Sequence, residues 1–184
     1  MDHIVAKTPS LFPKEMQDFH ENAPKWMTIE DFSEGVRIII RFEDSVKCYE
    51  FRNAGKDKHQ MTLRGTHVST LTSTGNIEQG LVHFLTKLFQ KVKYGRIEQY
   101  NIKLKKWPTG LLNMNISKFV DNFMITIDMA MYEEFMVDMN QHTFERDTKF
   151  HLSIYSKFVD FPMCFFESRF FSEQPLNIEM NFID

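Results

Sequence analysis

Residues 100–110 read YNIKLKKWPTG. Tyr100, Ile102 and Leu104 alternate with polar residues, the period-two pattern of a half-buried strand, and Pro108-Thr109-Gly110 supplies the turn that ends it. The same apolar-x-apolar core returns in FMITIDM (123–129), FHLSIYS (150–156) and LNIEMNF (176–182). Taking Ile102/Leu104, Ile125/Ile127, Leu152/Ile154 and Ile178/Met180 as equivalent pairs, the units are 23, 27 and 26 residues apart (102 to 125, 125 to 152, 152 to 178). That interval suits leucine-rich-type units, in which a strand, a return segment and a parallel strand succeed one another over about 20–29 residues. MAMYEEFMVDMN and FVDFPMCFFESRFF are the candidate return segments. The consensus leucines and asparagine of true leucine-rich repeats are missing, so the expected units are leucine-rich-like.

Upstream, STGNIEQGLVHFLTKLFQKV is the clearest helix. Asn76 can cap it, and Ile77, Leu81, Phe84, Leu85, Leu88 and Val92 form one apolar stripe. Lys87, Lys91 and Lys93 gather toward its end, and Gly95 is placed to stop it. Before the helix, GVRIIIRFED, SVKCYEFRN and HQMTLRGTHV read as three short strands joined by Glu43-Asp44-Ser45 and by NAGKDK, an antiparallel meander. Residues 1–34, punctuated by Pro9, Pro13 and Pro24, read as a lead-in, disordered or partly helical over KEMQDFHE. The expected fold is therefore α+β or α/β: an N-terminal antiparallel meander, one amphipathic helix, then leucine-rich-like strand-and-return repeats, with 35–184 as a single domain.

Composition narrows the function classes. The 184 residues, 42% hydrophobic and 26% charged, can build a real core, and the 19 Phe and 12 Met make it a large-residue one. No secretory leader or membrane-spanning apolar run is apparent. Cys48 and Cys164 are far apart and read as reduced, buried thiols, which suits an intracellular, cytoplasmic or nuclear protein. The net charge of −3 disfavours nucleic acid as a partner. Seven basic residues between Lys87 and Lys106 nonetheless face one acid, Glu98, whereas twelve acids between Asp121 and Asp184 face four basic residues. Attraction between these two regions is the simplest account of both.

Chemistry-bearing motifs are scarce. His59 and His67 share a strand face if that strand is continuous, but only Asp57 lies near as a third metal ligand. His142 neighbours Glu145 and Asp147 with no nucleophile to serve, and Glu133, Glu134 and Asp138 read as an acidic helix face. Neither a nucleophile elbow nor a glycine-rich phosphate cradle occurs. No cofactor, metal or catalytic residue is therefore expected.

The order of segments resembles the nematode F-box-associated domains of the type 2 class and its relatives. The resemblance rests on VKCYEFRN and HQMTLRG, then the helix LVHFLTKLF, then ISKFVDNFMITIDM, MYEEFMVDMN and FHLSIYS, and spans residues 35 to 184. It implies a non-enzymatic module that presents target proteins to a cullin-RING ubiquitin ligase. TPSLFPKEMQDFHENAP carries only a fragment of an F-box pattern, so docking to a Skp-type adaptor is expected only where an F-box is present.

The reading from residues alone agrees: a protein-interaction surface on the exposed side of the late strands. Lys103, Thr126, Ser153 and Glu179, each midway between paired apolar positions, are its candidates. Lys105, Lys106 and Trp107 join them if Trp107 stacks on a partner; otherwise Trp107 packs over a helix or sheet end and the lysines are solvated. Two alternatives stay open: a small enzyme with a pocket between meander and repeat, and a nucleic-acid binder using residues 87–106.

Overall fold

The computed structural model describes residues 24–64, 68–91, 97–112, 120–141, 148–155 and 177–183. Within them lie the strands β1 (Trp26–Phe32), β2 (Gly35–Arg41), β3 (Val46–Asn53), β4 (Lys58–Arg64) and β5 (Ser69–Thr74), then helix α1 (Ile77–Lys91). Strands β6 (Ile97–Lys103) and β7 (Val120–Asp128), a 3-10 turn (Met129–Met131), helix α2 (Tyr132–Gln141), β8 (Lys149–Tyr155) and β9 (Asn177–Ile183) follow. All nine strands join one sheet in the order β5-β4-β3-β2-β1-β6-β7-β8-β9. β1 to β5 form an antiparallel meander, and β1 and β6 to β9 run parallel. The class is α+β, with the meander at the N-terminal side.

The expected hairpin link at Glu43-Asp44-Ser45 is present, closed by Phe42 N–H donating to the Ser45 carbonyl at 2.8 Å. Asn76 caps α1 as its position suggests. Its Oδ1 accepts from Gln79 N–H at 2.9 Å while Gln79 Oε1 accepts from Asn76 N–H at 3.1 Å, a reciprocal capping box. The Gly95 stop, the KEMQDFHE helix and the return segment FVDFPMCFFESRFF lie outside the described residues.

Three boundaries differ from expectation. Residues 26–32 are not lead-in: β1 is an interior strand between β2 and β6, with Met27 and Ile29 fully buried. Only Met27 and Ile29 alternate with polar neighbours before Glu30 and Asp31 interrupt the pattern, and Pro24 precedes it, so the stretch reads as a linker. β5 lies beyond the three expected meander strands and leaves little trace in the sequence, because STLTST holds a single apolar side chain, Leu71. Third, β9 is offset by two residues. Ile178 pairs with Phe150 and Met180 with Leu152, so the rows are Tyr100–Phe123–Phe150–Ile178 and Ile102–Ile125–Leu152–Met180. A two-residue slip keeps every side chain on its face, which is why alternation alone left this choice open.

One core joins the inner sheet face to both helices. Beneath α1, Phe84 meets Tyr49 at 4.6 Å and Phe51 at 5.6 Å between ring centroids. Phe89 meets Tyr100 edge-on at 5.9 Å, and Tyr100 stacks on Phe123, which in turn touches Phe150. Each such side chain contributes about 1.5–3 kcal/mol by leaving water. The helix approaches the sheet most closely at Gly80: a Cβ there would lie 2.3 Å from His59 Nε2. The His59 ring is fixed from its other side by a hydrogen bond of Nδ1 with the Gly75 carbonyl at 3.0 Å. Gly80→Ala is therefore expected to destabilise by about 1–3 kcal/mol, although alanine is the better helix former by about 1 kcal/mol. Urea unfolding checks this, and a gain in stability would show that the contact relaxes freely.

Tyr100 is fully buried, and its hydroxyl has no hydrogen-bond partner among the described residues. Burial pushes its phenol above the ordinary value of about 10. Below pH 10 both states hold this proton and the group adds no pH dependence. Above it the unfolded chain releases a proton that the folded chain retains, so stability falls by about 1.4 kcal/mol per pH unit. Tyr100→Phe is expected to be neutral, or stabilising by about 1 kcal/mol, at pH 7, and to remove this alkaline slope. Unfolding curves at pH 9 and pH 11 check both; equal slopes would refute the assignment.

Candidate protein-recognition face

With both described helices on the inner face, the outward side chains of the sheet form a broad polar surface. Parallel register sets them in rows. Lys103 pairs with Thr126, Thr126 with Ser153 and Ser153 with Asn181; one row earlier lie Asn101, Met124, His151 and Glu179. Lys103, Thr126 and Ser153 therefore share a row as expected, while Glu179 sits in the neighbouring row, for the same two-residue offset that moves Ile178. Lys103 is exposed and Thr126 and Ser153 are half-buried.

The centre of this surface is amide- and hydroxyl-rich. Gln99 Nε2 donates to Asn101 Oδ1 at 3.1 Å and lies 3.1 Å from Met124 Sδ. Asn122 Nδ2 donates to the Glu98 carbonyl at 2.9 Å. Met124, 38% exposed, is the one large apolar side chain that these strands present among the described residues. Such groups offer donors and acceptors to a polypeptide without fixed charge.

The meander half carries charge instead, held in a lattice. Arg37 pairs with Glu30 at 2.5 Å, and buried Glu50 accepts from Arg64 at 2.6 Å and Arg52 at 3.0 Å, while Arg52 also reaches Glu34. Burial pushes the Glu50 carboxyl up, but the hydrogen bonds and charges of Arg64 and Arg52 outweigh it and leave it below its usual range. Arg41 lies over the Trp26 ring at 5.8 Å and Arg52 over Phe32 at 5.3 Å. Cys48, between Ile39 and Arg64 on the same face, carries a free thiol that burial, then Glu50, pushes up. This half is an internally satisfied brace; the parallel half holds the more available polar groups.

Trp107 does not belong to the surface. It is 2% exposed, its ring meets Phe135 edge-on at 5.1 Å, and its Nε1–H donates to Asp138 Oδ2 at 2.9 Å. The other Asp138 oxygen accepts from Gly110 N–H at 2.9 Å. Asp138 is thus no part of an acidic helix face: Glu133 and Glu134 are exposed, and Asp138 turns inward to hold the exit of β6 against α2. Gly110, at φ 82°, takes the third position of a turn closed by Leu111 N–H to the Pro108 carbonyl at 3.1 Å, where type II turns require a positive φ. Lys105 is exposed, with its backbone N–H bonded to Asp31. Lys106 pairs with Glu78 at 2.5 Å, and that hydrogen bond and charge hold its ammonium above the usual lysine value. Its direct partner is thus the first turn of α1, and Glu134 from the acidic C-terminal third adds a weaker attraction.

Among the described basic residues of 87–106, Lys87 projects from α1, Lys103 from the open face and Lys106 toward Glu78, so these three do not share one patch. Nor do the described residues hold a group of three or more metal-ligating side chains. His67, His142 and Cys164 lie outside the described residues. No described helix is long and apolar enough to cross a membrane. No protein-family model, curated protein or solved structure matches the chain.

Proposed function

We propose that this chain is an intracellular, non-enzymatic protein-recognition domain whose parallel strands present the binding surface. The observation that carries the reading is the open face itself: register-aligned rows of Asn, Thr, Ser, Gln and Lys beside the exposed Met124. In strand-and-return architectures such rows form extended surfaces suited to protein partners. Four parallel strands in direct register, separated by 23, 27 and 28 residues along the row from Ile102 to Ile125, Leu152 and Met180, support reading β6 to β9 as leucine-rich-like units.

The segment order shared with F-box-associated domains extends the proposal to substrate recognition for a cullin-RING ubiquitin ligase. Contact with a Skp-type adaptor then depends on an F-box in the same assembly. The test replaces Lys103, Thr126 and Ser153 together by glutamate. The expected result is at least a tenfold loss of affinity for a partner captured from extract, with the unfolding midpoint unchanged within about 3 °C, because all three side chains reach solvent. Undiminished capture by the triple variant would remove this face from the proposal. Turnover of a substrate by the purified chain would remove the non-enzymatic reading.

A further inference from the structure

At one end of the sheet, β5 has a single strand neighbour, β4, among the described residues. Its other side is open among the described residues, with Thr70, Thr72 and Thr74 exposed, and the direction of its backbone groups can be read from one bond. Gly75 N–H donates to the Asp57 carbonyl at 2.8 Å, continuing the β4–β5 ladder. Antiparallel pairs alternate, so Ser69, Leu71 and Ser73 also direct their N–H and C=O groups toward β4, and Thr70, Thr72 and Thr74 direct theirs outward. The Thr62 and Thr70 hydroxyls, 3.3 Å apart, fit the closer non-hydrogen-bonded pairing that this assignment requires.

Proteins usually blunt such an edge with proline, lysine or a bulge. STLTST has none of these, and its β-branched threonines favour extended backbone. The inner side of the same edge is hollow. α1 packs over β3 and β4, leaving Leu71 half-buried beside a cavity of about 150 Å³. Phe51, Met61, Leu71 and Phe84 make it apolar, while His83 and Lys87, both exposed, stand among its lining. Lys87 forms no ion pair among the described residues.

We infer that β5 is a docking edge for an extended peptide that adds a tenth strand to the sheet, with one apolar side chain entering the cavity under α1 and an acidic side chain two positions along facing Lys87. The outward groups of Thr70, Thr72 and Thr74 supply main-chain hydrogen bonds, and the cavity and lysine supply selectivity, the division of labour in strand addition. Alternation of the added strand sends every second side chain to the helix side, which sets the apolar-x-acidic spacing. The inference rests on the protein-recognition reading only in that its ligand is a polypeptide; it uses a different surface from the row of Lys103, Thr126 and Ser153.

The experiment selects binders from a displayed library of random twelve-residue peptides on the full chain, then measures the enriched peptides by fluorescence anisotropy. Expected are sequences sharing an apolar residue and an acid two positions apart. Thr72→Pro should weaken them at least tenfold without lowering the unfolding midpoint, since the lost N–H faces outward and proline is tolerated at such edge positions. Thr72→Val should bind as the parent does. Lys87→Glu should reverse the preference from acidic to basic peptides. Enriched peptides indifferent to Thr72→Pro, or a library yielding none, overturn the inference. So does a dimer that Thr72→Pro dissolves, which would make a second copy the occupant. Peptides that ignore Thr72→Pro but lose affinity in the Lys103, Thr126, Ser153 glutamate variant would refute edge docking while leaving the open-face reading intact.

Discussion

Asp138→Ala is expected to lower stability by about 3–4 kcal/mol, measured by urea unfolding at pH 7. Asp138 is 1% exposed and its two oxygens serve donors from one segment, the Trp107 indole N–H and the Gly110 backbone N–H. Alanine removes both acceptors and leaves the buried indole N–H and the half-buried Gly110 N–H without them. An unsatisfied buried donor costs about 1–3 kcal/mol, far more than the net gain of a typical satisfied bond. Asp138→Asn keeps one oxygen but points an amide donor at the remaining N–H, so it should recover less than half of the loss. Trp107→Phe removes one donor and retains most of the ring contact with Phe135; a cost of about 2 kcal/mol follows. A double-mutant cycle between Asp138 and Trp107 should return about 1–2 kcal/mol of coupling. Independent, additive losses would mean that the two act through separate contacts, and a loss below 0.5 kcal/mol for Asp138→Ala would remove the clamp from the fold.

That clamp also marks how far the sequence could be read. The strand YNIKL, its turn at Pro108-Thr109-Gly110, the burial of Tyr100 and Ile102 and the Asn76 cap all follow from local pattern, and the structure places each as the pattern predicts. The Trp107–Asp138 bond spans 31 residues and has no periodic trace: an acid between Val137 and Met139 on a helix reads as solvated until the partner arrives from another element. β1 and β5 were hidden for different reasons. β1 has only the short alternation of Met27 and Ile29, behind Pro24 and ahead of acids, and those acids turn out to serve the open-face lattice through Glu30 and the Lys105 backbone through Asp31. β5 offers one apolar residue because an edge strand need bury little, and that sparseness is what leaves it open. On the candidate face, midpoint positions between apolar pairs located Lys103, Thr126 and Ser153 in one row. Alternation alone does not phase the fourth strand, and Glu179 lies one row away from the other three.

Phe123→Ala should cost about 3–5 kcal/mol, a large share of the roughly 5–15 kcal/mol that holds a domain folded. Phe123 is fully buried at the centre of the parallel strands, stacked on Tyr100 at 5.4 Å and 14° between ring planes and touching Phe150 at 5.6 Å. Register makes this ladder: the three rings occupy equivalent positions on adjacent strands, so truncating the middle one breaks both contacts and leaves a void that neither neighbour can fill alone. Phe123→Leu keeps most of the volume and should cost about half as much. The pair of variants also separates core from surface. Met124 and the row of Lys103, Thr126 and Ser153 lie on the other side of the same backbone, and their spacing is fixed by strand pairing rather than by the ring. Measured well below its unfolding midpoint, Phe123→Leu is therefore expected to bind a partner of the open face within threefold of the parent, while the triple glutamate variant, at parental stability, does not. A Phe123→Leu chain that stays folded yet loses the partner would place recognition in the packing of this sheet and not in the side chains it presents.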